Sequence, residues 1–159
     1  MIIREIEKKD NKQAASIIRD AFDEYGLPKT NTVYDDSRTD SLFEQFKSNP
    51  SSRLWVAEDN GIVIGLCGMF PTEGLPIGWC EIVKFYVAKS ARGRGIGKKL
   101  FDITCSTAKD LGYTTAYLET FPELTGAICM YKQMGFRAID KQMGNSGHTA
   151  TSIWMIKYL

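Results

Sequence analysis

The sequence predicts an α/β fold in which helices flank one central mixed β-sheet. Residues 81–87 are apolar and β-branched enough to form a strand, and a glycine-rich turn joins them to an amphipathic helix and then to a second strand at residues 114–120. A strand–helix–strand unit of this kind requires parallel pairing. Asn60-Gly61 lies between two apolar runs and is the strongest hairpin signal in the chain, which adds antiparallel pairing to the same sheet.

The first third of the chain predicts one strand and two helices. Residues 2–6 alternate as a strand, and Asp10 is expected to cap a helix whose apolar residues recur with helical spacing until Gly26 ends it. Residues 29–41 are polar and rich in turn formers. A shorter helix around Phe43 follows, because apolar positions again recur three and four residues apart.

The remaining residues alternate between strands and helices. In chain order we expect strands at 53–58, 62–70 and 80–87, a helix from 96 to 111, a strand at 114–120, a helix from 124 to 134, and strands at 137–143 and 152–158. The predicted order is β-α-α-β-β-β-α-β-α-β-β in a single domain of residues 1–159. Ligands bind such sheets at the carboxyl ends of the strands, where neighbouring strands diverge.

Composition excludes several classes of function. The chain has 159 residues and a net charge of +1, so no overall positive field attracts nucleic acid. Four cysteines without a CxxC spacing and a single histidine argue against a disulfide framework and a structural metal site. The first residues become charged too early for a signal peptide, and no apolar run is long enough to span a membrane. We therefore expect a soluble cytoplasmic protein without metal, nucleic-acid or membrane partners; a homodimer is compatible with this sequence.

The turn after residues 81–87 combines three glycines with four cations. Its sequence is Ala91-Arg92-Gly93-Arg94-Gly95-Ile96-Gly97-Lys98-Lys99-Leu100. Glycines at a strand-to-helix turn let backbone N–H groups approach a ligand closely, and the first helical amides lack partners within the helix. The helix N-terminus and the local cations therefore predict a phosphate-binding site. A basic turn in which the glycines only reverse the chain is the simpler alternative.

Two other phosphate-binding patterns fit the turn less well. A Walker loop needs a glycine five positions before its Gly-Lys pair and Ser or Thr after it, but Arg92 and Lys99 occupy these places. A dinucleotide fingerprint needs a third glycine where Lys98 stands and a turn directly after the strand. Glu119 lies near the distance expected of a ribose-binding acid, so a nucleotide-binding domain stays open as an alternative.

A third pattern fits without changes: Arg92-x-x-Gly95-x-Gly97 after a strand resembles the acyl-CoA loop of the GNAT superfamily of N-acyltransferases. Phe85-Tyr86-Val87 before the loop and Tyr131-x-x-x-Gly135-Phe136 after it are similar to the family as well. The resemblance implies a GNAT-like fold with a splayed central sheet. It also implies a transferase that moves an acetyl group from acetyl-CoA to a primary amine by direct transfer.

The resemblance further implies which residues hold the cofactor. Backbone groups of Phe85, Tyr86 and Val87 would pair with the pantetheine arm like an added strand. The pyrophosphate would bind the loop residues Arg92, Gly93, Arg94, Gly95, Ile96, Gly97 and Lys98. One position departs from the family, since many members carry Asn just after the strand at 114–120 where this chain has Leu124. That departure motivates a non-catalytic acyl-CoA-binding module as the alternative function.

Acyl transfer to an amine needs a base, and the leaving thiolate gains from an acid. The resemblance implies Tyr131 as the acid, because the matching tyrosine commonly faces the thioester sulfur; from its spacing alone Tyr131 fits a core residue. Glu119, at the carboxyl end of a central strand, is the first candidate for the base. Glu81, in the strand before the loop, is its rival, and either fits a merely paired carboxylate.

The acceptor is the least specified part of the prediction. A small amine, an amino acid and a peptide amine all fit, and the preferred acyl chain stays open. The candidates for the acceptor cleft come from several loops: Tyr25, Tyr34, Asp35, Asp36, residues 71–78 and residues 143–149. Acidic side chains there suit a cationic amine, although a solvated loop explains the acidic pair equally well.

Overall fold

The computed structural model describes residues 1–159 and confirms the predicted order of elements. Seven strands form one sheet: β1 (Ile2–Glu5), β2 (Arg53–Asp59), β3 (Ile62–Phe70), β4 (Trp79–Val87), β5 (Thr115–Thr120), β6 (Arg137–Ile139) and β7 (Ile153–Tyr158). Four helices connect them: α1 (Asn11–Tyr25), α2 (Leu42–Lys47), α3 (Ile96–Asp110) and α4 (Thr125–Gln133). The predicted α/β class with a mixed sheet is therefore confirmed.

The sheet divides at its centre. The strands are ordered β1-β2-β3-β4-β5-β7-β6, and every neighbouring pair is antiparallel except β4 and β5. These two are parallel because α3 carries the chain back across the sheet between them. Their pairing runs only from Trp79 opposite Thr115 to Glu81 opposite Tyr117. Beyond Glu81 the strands part, so the rest of β4 has no strand partner on that side.

Helices cover both faces of the sheet. α1 and α2 bury Ile18, Phe22 and Leu42 on one face, and α3 buries Leu100 and Phe101 on the other. Each of these five side chains is completely inaccessible to solvent, and burying one such side chain stabilises a fold by about 1.5–3 kcal/mol. Packing on both faces makes the central strands the rigid part of the molecule, and the candidate site lies on them.

The last hairpin is shorter than predicted. The sequence predicts a strand over residues 137–143, but β6 ends at Ile139. Instead of continuing the ladder, the Gln142 side-chain amide donates to the Glu119 carboxylate and the Met143 N–H donates to the Tyr117 hydroxyl. These bonds direct the chain away from β7 and over the carboxyl end of β5.

The predicted helix cap at Asp10 is also wrong in its detail. Asp10 directly precedes α1, but its side chain makes no capping bond to that helix. The carboxylate is buried and accepts bonds of 2.7 and 3.0 Å from the Arg4 guanidinium, together with the Glu7 backbone N–H at 2.8 Å. A buried carboxylate requires a charged partner, and Arg4 supplies it from β1.

Candidate active site

The loop between β4 and α3 offers a row of unpaired backbone amides. Gly95 immediately precedes α3 with φ of +72°, and Gly93 has φ of +75°. Residues other than glycine rarely adopt such positive φ values. None of the amides of residues 93–98 donates a hydrogen bond to another backbone or side-chain group. A Cβ atom added at Gly93 or Gly95 would meet no atom within 4 Å, so the space in front of the loop is open. The backbone geometry expected of the predicted phosphate-binding site is therefore present.

Gly97 has a different role from the two glycines before it. It lies inside the first turn of α3, where a Cβ atom would approach Phe85 Cζ to 3.2 Å and Val87 Cγ2 to 3.6 Å. The first of these distances is tighter than ordinary van der Waals contact. Glycine at this position therefore allows α3 to pack closely on the end of β4.

Three of the four cations of the loop already have carboxylate partners, and the exposed Lys99 has none. Arg92 bonds to Glu24 at the end of α1 at 2.9 and 3.0 Å and to the Val87 carbonyl at 3.0 Å. Arg94 pairs with Asp59 at 3.0 Å. Lys98 pairs in the same way with Asp102 at 2.6 Å. Arg92 thus holds the loop against α1, and the loop presents its free amides, with the exposed Lys99 beside them, to an anion.

A cavity of about 350 Å³ lies where β4 and β5 part. It is lined by four of the predicted site residues from β4 and β5, Glu81, Phe85, Tyr86 and Glu119, and by Tyr131 of α4. β4 joins this cavity to the loop, because the strand passes from Glu81 to Val87 and the loop begins four residues later. The structure therefore brings the predicted catalytic residues into one cleft beside the predicted cofactor loop.

Tyr131 is held in an aromatic cluster at the base of the cleft. Its ring centroid lies 6.0 Å from that of Phe85, 5.6 Å from that of Phe101 and 6.1 Å from that of Phe136. The side chain is 6% exposed. Burial raises the pKa of the Tyr131 phenol well above its usual range, so the hydroxyl keeps its proton at physiological pH.

The buried Glu81 and the partly buried Glu119 form a pair of carboxyl groups at the point of divergence. Burial, and next the neighbouring Glu119 carboxylate, raise the pKa of Glu81 well above its usual range, to about 7. The Thr72 hydroxyl donates a short hydrogen bond to Glu81. Glu119 Oε2 accepts hydrogen bonds from the Tyr117 hydroxyl at 2.9 Å and from the Gln142 amide, whereas its Oε1 is buried without a donor. A proton on Glu81 can satisfy that second oxygen.

Two loops cover the opposite side of the cleft. Thr72 and Glu73 follow β3, and Asn145 and His148 precede β7; all four line the cavity. The Asn145 N–H donates to the Glu73 carbonyl at 2.7 Å, so the two loops are joined. Both segments that the sequence predicts for the acceptor side, residues 71–78 and 143–149, therefore contribute to the cleft.

The other predicted acceptor residues lie elsewhere. Tyr25 contacts Arg92, whose guanidinium lies 5.3 Å from its ring, and does not line the cavity. Asp35 accepts two backbone N–H bonds within a turn, from Asn31 and Thr32. The Tyr34 ring packs 5.8 Å from that of Phe22. Asp36 is engaged by Arg38 and His148 and does not line the cavity either. The expectation that these four residues line the cleft is therefore wrong.

The comparison with family models decides the assignment. The model of the acetyltransferase (GNAT) family matches residues 15–136, which is well over half of the chain. The chain belongs to the GNAT acetyltransferase family. The resemblance drawn from the loop and its flanking residues is thereby confirmed. Similar proteins are named N-acetyltransferases as well, which supports the assignment of the GNAT chain as an acetyltransferase.

One full-length relative of this GNAT chain comes from Escherichia coli K12. The uncharacterized N-acetyltransferase YjgM is 35% identical over 160 residues, which cover 99% of this chain and 95% of that protein. Several rodent N-acetyltransferases are also similar, but they are longer, and the chain spans about half of their length.

Solved structures share the GNAT fold along the whole chain. A GNAT acetyltransferase from Staphylococcus aureus Mu50 superposes with a TM-score of 0.83 at 22% identity, covering 99% of this chain and 98% of that one. The yncA protein of Salmonella typhimurium, solved with its cofactor acetyl-CoA, has a TM-score of 0.80 at 18% identity and covers 99% and 93%. At these identities the likeness establishes the fold, and the splayed sheet predicted from the sequence is part of it.

Membrane-spanning helices and metal-binding clusters are both absent from the structure of this GNAT protein. No helix is both long enough and apolar enough to cross a membrane. No group of three or more His, Cys, Asp or Glu side chains is arranged to hold a metal ion.

Sequence reasoning missed a bulge in β4. Lys84 has φ of +55°, and Lys84 and Phe85 together stand opposite the single residue Cys67 of β3. A non-glycine residue held in this region is strained by about 1–3 kcal/mol. The only signal for it in the sequence is a second charged residue, Lys84, three positions after Glu81 in a mostly apolar strand.

The bulge reverses the direction of the side chains along β4. Before it, Ile82 packs into the core under α3 and Val83 faces the core under α1. Beyond it, Phe85 packs towards α3 and Tyr86 towards α1, so even and odd positions have exchanged faces. Lys84 stands at the switch and lines the cavity instead of the core.

Proposed function

We propose that the protein is an acetyl-CoA-dependent N-acetyltransferase that acts on the primary amine of a small acceptor by direct transfer. One observation carries the proposal: the divergence of β4 and β5 opens a cavity that holds a pair of carboxyl groups and a buried tyrosine, next to a loop of unpaired amides. An anion site, a base and an acid around one cleft are the parts that acyl transfer from a thioester needs.

The residues present fit acetyl-CoA, which supplies an activated thioester when it is bound. The amides of residues 93–98 would hold the pyrophosphate, since they are unpaired and the space before Gly93 and Gly95 is open. The unpaired side of β4, which includes Phe85, Tyr86 and Val87, would accept the pantetheine arm as an added strand. Arg92 positions the loop through its bonds to Glu24.

Glu81 is the better candidate for the base. A free alkylamine has a pKa of about 10, so a neighbouring group must remove its proton before it attacks. A base works best when its pKa is near the working pH, and that of Glu81 is about 7. Glu119 has one oxygen engaged by two donors, Tyr117 and Gln142, and acts by holding the pair together. This reverses the order of preference that the sequence alone gives.

Tyr131 would act as the acid. Its hydroxyl keeps a proton because burial raises the phenol pKa, and its ring is fixed between Phe85 and Phe101 facing the cleft. A backbone N–H of the unpaired stretch of β4 near Phe85 would donate to the oxyanion of the tetrahedral intermediate. The departing thiolate would take the proton of Tyr131.

Direct transfer is favoured over a cysteine-linked acyl intermediate. No cysteine lines the cavity, and Cys67 of β3 and Cys80 of β4 are completely buried. Burial raises the pKa of Cys80 to about 12 and that of Cys67 higher still, so neither presents a thiolate at neutral pH. The acetyl group would therefore pass directly to the amine.

The test is release of free CoA thiol from acetyl-CoA against a panel of amines, amino acids and peptides. Turnover with at least one acceptor, with the acetylated product identified by mass spectrometry, is the expected result. Leu124 at the start of α4, where many family members carry Asn, motivates the alternative of a non-catalytic acyl-CoA-binding module. That alternative predicts stabilisation by CoA without transfer to any acceptor, and a nucleotide-binding domain predicts stronger stabilisation by NAD than by CoA.

A further inference from the structure

Lys84 is a cation in the cleft that the proposed chemistry does not use. It lines the cavity and is half-buried, and no carboxylate oxygen lies within 4 Å of its ammonium group. The other cationic side chain of the cavity wall, Arg38, is paired with Asp36 at 2.8 Å. Lys84 is thus the unpaired positive charge of the cleft.

The charged groups around Lys84 leave it unneutralised. Asp36 is the acidic side chain that attracts Lys84 most strongly, but it already accepts from the Arg38 guanidinium and backbone N–H and lies 3.1 Å from His148 Nε2. Glu81 attracts Lys84 from the strand, whereas Arg38 repels it. His148 lies on the same side, and repulsion by Lys84 is one of the causes that lower the His148 pKa.

Two unfavourable effects oppose the position of Lys84: the burial of its charge and the strain of its backbone. Burial lowers the pKa of its ammonium group to about 8, which leaves most of the side chain charged at pH 7. Its backbone is strained by the positive φ of the bulge, and that same bulge turns the side chain into the cleft. Partly buried charges are normally paired, and the partner missing here would come from the ligand.

We infer that the amine acceptor also carries a carboxylate, which Lys84 binds while Glu81 and Glu119 receive the amine. The inference rests on the proposed function and names its substrate class. A cleft with acids on the strand side and a free cation beside them matches a dipolar molecule, of which a free amino acid is the simplest. A single unpaired lysine matches a monoanion better than a phosphate dianion, which recruits several cations.

The size of the cavity supports a small acceptor of this kind. Pockets for small molecules span about 300–1,000 Å³. The cavity has about 350 Å³, and it must receive the acetyl end of the cofactor as well as the acceptor. The loops that contain Glu73 and Asn145 are bonded to each other across its acceptor side, which limits the room for a folded protein substrate.

Matched acceptors test the inference. Each of several amino acids is compared with its own carboxamide, which differs only in the charge of the carboxyl group. We expect kcat/KM to be at least about 10-fold higher for the acid, mostly through KM, as for an added charge-assisted hydrogen bond. The amine of the carboxamide is the less basic of the two and is more often neutral at pH 7, so a preference for the acid cannot come from nucleophilicity.

Three variants assign the preference to Lys84. Lys84→Met keeps the length of the side chain and removes the charge, and it should reduce the acid-to-amide ratio to less than about 2-fold. Lys84→Arg keeps the charge and should retain the preference. Lys109→Met, an exposed lysine at the far end of α3, is the control and should leave the ratio at the wild-type value. Equal kcat/KM for acid and amide in the wild type, or an unchanged ratio in Lys84→Met, would overturn the inference.

A binding measurement separates this inference from the proposed function. N-acetylated amino acids and their carboxamides are added with CoA, and the melting temperature is measured for the wild type and Lys84→Met. A larger shift with the acid that depends on Lys84 supports the inference even if no amine is ever acetylated, in which case the proposed function alone fails. Equal shifts by acid and amide in both proteins overturn it.

Discussion

The carboxyl end of β4 and its middle differ in the kind of group they present. At its carboxyl end the loop offers main-chain amides, fixed by the positive φ of Gly93 and Gly95, while three of its four cations are engaged by carboxylates. In its middle, at the divergence from β5, the cleft offers side chains whose charge depends on burial, above all Glu81 and Lys84. The first site depends on backbone conformation and the second on a few ionisable groups.

This difference predicts how each site responds to substitution. A site of amides tolerates the loss of a cation but not the addition of a side chain in front of it. A site of ionisable groups keeps its shape when one group is replaced by a neutral isostere, but it loses chemistry and changes its pH dependence. The following predictions test this contrast in order of expected effect.

Gly95→Val should abolish CoA binding, raising the Kd by about 100-fold or more, or about 3 kcal/mol. The added side chain would enter the open space in front of the amides, and φ of +72° would become strained. Isothermal titration with CoA measures the effect.

Gly112→Val is the matched control for that substitution. Gly112 also has positive φ and open space around it, but it lies beyond the far end of α3. Both variants should lose stability by about 1–3 kcal/mol through backbone strain, and only Gly95→Val should lose CoA binding. Wild-type CoA affinity in Gly95→Val would contradict the assignment of the loop.

Glu81→Gln should lower kcat/KM by about 100- to 10,000-fold at pH 7 while CoA affinity stays the same. In the wild type, kcat/KM should fall as the pH drops through about 7, because protonated Glu81 cannot accept the proton of the amine. Gln cannot titrate, so the variant should lack this inflection and recover part of its rate at high pH, where the amine loses its proton unaided. Pre-steady-state and steady-state rates between pH 5.5 and 10 would be measured.

Glu119→Gln is the comparison that assigns the base. If Glu119 only positions Glu81, the variant should retain an inflection, moved to lower pH because a neighbouring negative charge has been removed. An inflection that survives in Glu81→Gln but disappears in Glu119→Gln would show that the order of preference from the sequence was right.

Tyr131→Phe should lower kcat by about 10- to 1,000-fold with little change in the KM for acetyl-CoA. The substitution retains the ring packed against Phe85, Phe101 and Phe136 and removes only the hydroxyl. Steady-state kinetics with a good acceptor gives both constants. Full kcat in this variant would show that the hydroxyl has only a structural role and that the thiolate leaves without an acid from α4.

Arg94→Ala should weaken CoA binding by only about 2- to 5-fold, the smallest effect of the series. The side chain is half exposed and already paired with Asp59, so its contribution is modest and screened by salt. The same titration at low and high ionic strength measures it. A loss as large as that of Gly95→Val would mean that side-chain charge, and not the amides, holds the anion.

The same contrast explains what the sequence could predict. Positive-φ glycines between a strand and a helix leave a local signature, so the loop at Gly93 and Gly95 and the order of elements could be predicted. The cleft depends on contacts between distant parts of the chain. The approach of His148 to Asp36 spans 112 positions, and the hydrogen bond from Gln142 to Glu119 spans 23. No local pattern encodes either contact.

The bulge at Lys84 was beyond prediction for a related reason. The strand at residues 81–87 is predicted from its apolar and β-branched composition, and composition does not show where the side chains change faces. A strained lysine is stable only because two cores, one under α1 and one under α3, each require apolar residues on their own side of the bulge. The pKa of Glu81 likewise depends on a neighbour from another strand.

The parting of β4 from β5 also gives the molecule a sheet edge in its interior. Such an edge is a template for any extended chain, and an unfilled one invites pairing with a second protein molecule and aggregation. A ligand that lies along it acts as a removable strand, and at a concentration 100 times its Kd it would stabilise the fold by about 2.7 kcal/mol. On this view, the supply of such a ligand would govern how long the folded protein survives, and not only how fast it works.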